Sequence, residues 1–175
     1  MNVIDFAKLR SEMVDHQVAG RGVRSRLVLD AMRAVPREAF VPEPLREFAY
    51  EDAPLRVAPG QTLPQPGVIA LMVEALGLDG SEKVLEIGTG SGYGAAVLAR
   101  IARTVYTVEP DAHLALKAAA TLTGLHCGNV HVRHVEARLG WPDHAPFDAI
   151  IVNSSGAQVP EALKQQLAIG GRLVM

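Results

Sequence analysis

The run Val84-Leu85-Glu86-Ile87-Gly88-Thr89-Gly90-Ser91-Gly92-Tyr93 passes from a short apolar strand into a turn with glycine at every second place, and a helix opens directly behind it. Glycines belong at such a junction because a Cβ would block both the tight turn and the approach of a ligand to the backbone. A dinucleotide fingerprint spaces its glycines G-x-G-x-x-G and sets a pyrophosphate over the helix N-terminus. Here the spacing is G-x-G-x-G, with Glu86 two residues ahead of the first glycine. A carboxylate there repels a pyrophosphate and attracts a cofactor that carries an ammonium and a sulfonium. S-adenosyl-L-methionine is such a cofactor. Glu109, at the end of the next strand, is placed to accept from both ribose hydroxyls, a feature shared with nicotinamide-dependent proteins.

Working outward, strand and helix alternate. Strands are expected at Val84–Ile87, Thr104–Val108, Val130–Val135, Ala149–Val152 and Gly171–Met175, and helices at Tyr93–Ala102, Asp111–Thr123 and from Pro160 to Ala168. That alternation implies right-handed crossovers and a doubly wound α/β fold with a mostly parallel sheet. Ahead of it, Phe6, Leu9 and Met13 mark one face of a first helix. Ser25 caps a second helix with the stripe Leu27, Val28, Ala31, Met32 and Val35, which Pro36 ends. Residues 36–66 hold seven prolines and are expected to form an irregular, functional connector. A helix follows with Val68, Ile69, Leu71, Met72, Ala75 and Leu76 buried and Gly77 as its stop. Residues 1–66 are thus helices and connector, and 67–175 the cofactor-binding core of one structural domain.

The chain has 175 residues, a net charge of −2 and one cysteine, Cys127. This excludes an internal disulfide framework and argues against broad binding to nucleic acid. No apolar run reaches the ~20 residues of a membrane span, and residues 1–5 lack the layout of a signal peptide, so a cytoplasmic location is expected. The six histidines lack metal-ligand spacing, and no metal is expected. Arg21, Arg24, Arg26 and Arg33 form either a solvated face or a contact for acidic ligands.

The run from Glu86 to Tyr93, with Val105 to Glu109, resembles the class I S-adenosylmethionine-dependent methyltransferases. More narrowly, the chain is similar to the protein-L-isoaspartate O-methyltransferase family. The likeness rests on Met13-Val14-Asp15-His16-Gln17, on Val35 to Pro42, on Ala49-Tyr50-Glu51-Asp52 and on Gly60-Gln61-Thr62. It continues through Leu139-Gly140-Trp141-Pro142, Ala145-Pro146-Phe147-Asp148, Gln166-Leu167 and Gly170 to Leu173. The resemblance implies methyl transfer to the free carboxylate of an isoaspartyl residue in a protein or peptide. A carboxylate is already ionised at neutral pH, so positioning can replace a general base. It also implies cofactor contacts at Thr62, Glu86, Gly88, Thr89, Gly90, Ser91, Gly92, Glu109, Glu136 and Ala137.

Three departures stand out. Pro64 takes the place of the family's active-site serine, so no catalytic side chain is assigned. Glu136-Ala137 replaces an Asp-Gly, and Asn153-Ser154-Ser155-Gly156 replaces a small apolar run, which points either to another acceptor or to an ordinary loop. The family continues into further strands beyond the fifth; either this chain is a piece of a longer, multidomain polypeptide or the sheet edge is completed otherwise. Two alternatives to isoaspartyl methylation therefore stay open: a methyltransferase with a different acceptor, and a cofactor-binding domain without turnover.

Overall fold

The computed structural model describes residues 4–58, 60–136, 139–153 and 158–175. Asp5 caps α1 (Phe6–Glu12), its carboxylate accepting from the Lys8 amide at 3.0 Å. The helix widens into a π-helical turn over Met13–Val18 that turns Met13, Val14 and Val18 inward, and closes in a 3-10 turn before Gly22 (φ 100°). α2 (Arg26–Ala34) starts at Ser25, whose hydroxyl accepts from the Val28 amide, and stops where Val35 becomes extended ahead of Pro36. Val28, Ala31, Met32 and Val35 are buried, whereas Leu27 is 46% exposed. At about 100° per residue Leu27 lies a quarter-turn off the centre of the buried arc.

The connector is more regular than its prolines suggest. Short 3-10 helices cover Arg37–Phe40 and Glu43–Phe48, and an antiparallel ribbon pairs β1 (Leu55–Ala58) with β2 (Gln61–Leu63). The prolines fall where no amide is required: Pro36 and Pro42 precede the 3-10 helices, Pro54 precedes β1, Pro64 follows β2, and Pro66 opens α3 (Pro66–Ala75). The buried face of α3 is Pro66, Ile69, Ala70 and Val73, with Leu76 just beyond. Val68, Leu71 and Ala75, expected inside, face outward, because a helix apolar on every side offers no periodic contrast to read.

The main sheet holds β3 (Lys83–Ile87), β4 (Thr104–Glu109), β5 (Val130–His134), β6 (Phe147–Val152) and β7 (Leu167–Val174). The strands run parallel in the order β5-β4-β3-β6-β7, with α4 (Tyr93–Ala99) and α5 (Ala112–Gly124) as crossovers. The helix expected from Pro160 to Ala168 is shorter, α6 (Glu161–Lys164), because Leu167 already pairs with Phe147 of β6. β7 is irregular between that pair and Ala149↔Arg172, where Gly170 takes φ 81°. Sheet pairing overrides the local helical tendency there.

Alternation along the strands splits the core. Val84, Val105, Ala149 and Ile151 share a core with Met13 and Met32 of the N-terminal helices and with Tyr93 and Leu98 of α4. Leu85, Ile87, Val108, Phe147 and Ile150 pack on the other face with Leu163. Strand order reverses between β3 and β6, so a crevice opens beyond their carboxyl ends, where ligands bind in doubly wound folds. Among the described residues no helix is long and apolar enough to cross a membrane.

Candidate active site

The crevice holds a cavity of about 230 Å³. One wall is the glycine turn, Gly88 to Ser91, with Tyr93 and Gly94 of α4, Glu109 and Leu114. The facing wall is the ribbon and the loop after it, including Gln61, Thr62, Leu63 and Pro64. Gly88, Gly90 and Gly92 sit at φ 89°, 54° and 92°, conformations an L side chain rarely adopts.

Glu109 locks the turn in place. Gly90 donates its amide to Oε2 at 2.8 Å and Asp111 donates to Oε1 at 3.2 Å. Each carboxylate oxygen keeps further acceptor capacity for a ligand hydroxyl. A second network lies behind the turn. Thr89 and Thr107 hydroxyls meet at 2.6 Å, Thr107 donates to Glu86 Oε2 at 2.7 Å, and Asn153 donates to Glu86 Oε1 at 2.9 Å and to the Gly88 carbonyl at 3.0 Å. Glu86 is wholly buried, and among the described residues no cation is paired with it. Burial pushes its carboxyl up to about 7, opposed by the Thr107 and Asn153 donors and reinforced by the charge of Glu109.

The expected residues therefore separate. Thr62, Gly88, Thr89, Gly90, Ser91 and Glu109 are brought together on the cavity, and Pro64 joins them. Glu86 stands behind the wall rather than in it, a buried acid tied to the turn through Thr107 and Asn153. Gly92 does not line the cavity; it caps α4, and a Cβ there would press on Ala118 and Leu122 of α5. Glu136 is exposed just past β5 and does not line the cavity. Ala137, and the run Ser154-Ser155-Gly156, lie outside the described residues. Asn153, read as part of a polar acceptor run or an ordinary loop, lines the cavity and also braces Glu86 and Gly88.

Sequence reasoning missed Gly94 and Leu114. A glycine inside a helix costs about 1 kcal/mol relative to alanine, so Gly94 carried a signal: it makes room for Glu86. Leu114, in the first turn of α5, lacked one. The arginines also resolve: Arg21 pairs with Asp52 at 2.6 Å and Arg33 with Asp15 at 2.7 Å. Asp52 also accepts from Gln65, which moors the loop carrying Pro64.

Among the described residues lining the cavity there is no Lys, Arg or His, while Glu109 lines it and Glu86 lies behind. This donor set suits a cationic cofactor and opposes a pyrophosphate. Parallel order, switch point, glycine turn and strand-end acid together define a class I S-adenosylmethionine-dependent methyltransferase. The model of the protein-L-isoaspartate(D-aspartate) O-methyltransferase family matches residues 8–175, and the chain belongs to that family.

It is 58% identical over 170 residues to protein-L-isoaspartate O-methyltransferase 1 of Rhodopseudomonas palustris (strain HaA2), covering 97% of this chain and 69% of that relative. Among solved structures, a protein-L-isoaspartate O-methyltransferase superposes with a TM-score of 0.83 at 33% identity, over 93% of this chain. The present chain spans 54% of that structure's length. A Plasmodium falciparum structure described as a protein of this kind, in complex with S-adenosyl-L-homocysteine, shares the fold at 22% identity with a TM-score of 0.76, over 94% of this chain and 82% of its own.

Proposed function

We propose that this chain methylates the free carboxylate of isoaspartyl residues in proteins or peptides, in the cytoplasm. One observation carries the reading: a single cavity has the glycine turn and Glu109 on one wall and the Gly60–Pro64 segment on the other. Glu109 would hold the ribose, the open side of Gly90 admits close approach of a ligand to the backbone, and Glu86 and Glu109 together favour the cofactor's positive charge. When bound, S-adenosylmethionine supplies an electrophilic methyl group on sulfur.

The residues on the facing wall, Gln61, Thr62, Leu63 and Pro64, carry no charge and no general base. A carboxylate acceptor needs none, since it is ionised at neutral pH. What the protein contributes is alignment and exclusion of water, worth up to ~7–11 kcal/mol for well-oriented reactants. Pro64 has neither a hydroxyl nor an amide hydrogen, which favours one second reading, a different carboxylate acceptor in the same cavity.

The test is incubation with methyl-labelled cofactor and matched isoaspartyl and aspartyl peptides. Label should enter the isoaspartyl peptide as a base-labile ester. Binding of S-adenosylhomocysteine without labelling of that peptide would overturn the acceptor assignment and leave the second reading.

A further inference from the structure

Arg37 is fully buried, and among the described residues no carboxylate is paired with it. Its Nε donates to the Ala49 carbonyl at 2.7 Å and one terminal nitrogen, Nη2, to the Pro64 carbonyl at 2.7 Å. The guanidinium carbon lies 4.8 Å from the centroid of the Tyr93 ring. The other terminal nitrogen, Nη1, has no hydrogen-bond partner among the described residues. Burial draws the guanidinium's pKa downward, partly offset by Tyr93.

Such a group is costly to keep in a core. An apolar side chain of similar volume often serves stability as well or better, because a buried charge gives up its hydration. Its contacts, however, are specific. The β1–β2 ladder ends at the pair Leu55↔Leu63, so the next carbonyl, Pro64, has no strand partner. Arg37 supplies the donor. Tyr93 is the first residue of α4, immediately behind the glycine turn, and Pro64 and Tyr93 both line the cavity. One rigid fork therefore spans from the acceptor-side loop to the cofactor-side helix, and the Ala49 carbonyl holds it in place.

We propose that Arg37 is a positioning residue for methyl transfer, fixing the Pro64 loop at a set distance from the helix that begins at Tyr93. This rests on the isoaspartyl reading above for its catalytic consequence, though not for its structural one. In-line transfer tolerates little misplacement of the acceptor, so a loosened loop should slow turnover more than it weakens cofactor binding. A lysine offers a single ammonium and reaches one carbonyl at a time, without the planar contact to Tyr93.

The test compares wild type, Arg37→Met and Arg37→Lys by three readouts: kcat and KM with an isoaspartyl peptide, calorimetric affinity for S-adenosylhomocysteine, and amide exchange. For Arg37→Met the expected result is a kcat at least 30-fold lower and an S-adenosylhomocysteine Kd within threefold of wild type. Exchange at Gln61–Leu63 should be about tenfold faster, with β3 and β4 amides unchanged. Arg37→Lys should recover part of each change. A folded Arg37→Met with kcat within twofold of wild type overturns the proposal. So does a parallel loss of cofactor affinity and of protection throughout the sheet, which marks a purely structural role. Should Arg37→Met fail to fold, Arg37→Lys is read by the same criteria. Should wild type itself fail to methylate the peptide, the isoaspartyl reading falls and exchange decides the clamp: faster exchange confined to Gln61–Leu63 supports it, and unchanged exchange there refutes it.

Discussion

Gly90 donates its backbone N–H to Oε2 of Glu109 at 2.8 Å, so the glycine turn and the end of β4 behave as one rigid unit. The same carboxylate faces the cavity, and its loss should be felt twice: a ligand acceptor disappears and the Gly90 and Asp111 amides lose their partner. Glu109→Ala should weaken S-adenosylhomocysteine binding by about 1.5–3 kcal/mol, the range for hydrogen bonds to a charged group. Titration calorimetry checks this, and the wild type should bind NAD more weakly than S-adenosylhomocysteine. The opposite preference would contradict the charge argument.

Gly94 should resist a change that usually helps. Alanine in place of glycine within a helix gains up to ~1 kcal/mol. A Cβ at Gly94 would collide with Oε1 of Glu86 and approach Asn153 Nδ2 at 3.7 Å. That carboxyl is buried and held by two donors, so it has little room to yield. Gly94→Ala should therefore destabilise by about 1–3 kcal/mol, the usual cost of overpacking. A rise in melting temperature would show that Glu86 moves freely.

Glu86 should make stability depend on pH. Its carboxyl is raised from 4.5 to about 7 in the folded chain, so across that interval the folded state holds a proton the unfolded state has released. The stabilising contribution is complete below pH 4.5 and is lost as pH rises through about 7. Glu86→Gln resembles the protonated acid and cannot ionise. Relative to wild type it should gain stability on going from pH 5 to pH 8, by on the order of 1–3 kcal/mol. Urea denaturation of both proteins at the two pH values measures the difference; no change in it would mean that Glu86 titrates normally.

Pro64→Ser should raise turnover on an isoaspartyl peptide by restoring a hydroxyl and an amide hydrogen at the cavity wall. The Arg37 contact uses the Pro64 carbonyl and survives the substitution. Freeing φ should cost up to ~1 kcal/mol of stability, seen as a lower melting temperature. Equal rates for wild type and variant would show that the serine found elsewhere in the family is immaterial here.

The glycine-turn wall of the crevice was readable because its signals are local. The alternating glycines, the strand before them and Glu109 lie within one βαβ unit, and each type of residue has a direct physical reason to be there. The facing wall, from Gln61 to Pro64, was not. Nothing near Arg37 announces that it reaches Pro64, and the β1–β2 ribbon is concealed by prolines that sit at its ends. The position of Glu86 behind the turn depends on Asn153, which arrives from β6. The outward face of α3 was misread because Val68 and Leu71 are as apolar as the buried Ile69 and Val73.

These separations along the chain bear on how the crevice is assembled during folding. Gly90 and Glu109 are 19 residues apart, Arg37 and Pro64 27, and Glu86 and Asn153 67. Closing the longer loops costs more chain entropy, though only logarithmically, and contacts between distant segments form late when topology governs the rate. The β3–α4–β4 unit can thus take shape from its own residues, while the Pro64 wall waits for the first sixty residues to dock. Lesions in the N-terminal segment should accordingly leave a chain that still grips its cofactor yet presents the acceptor badly.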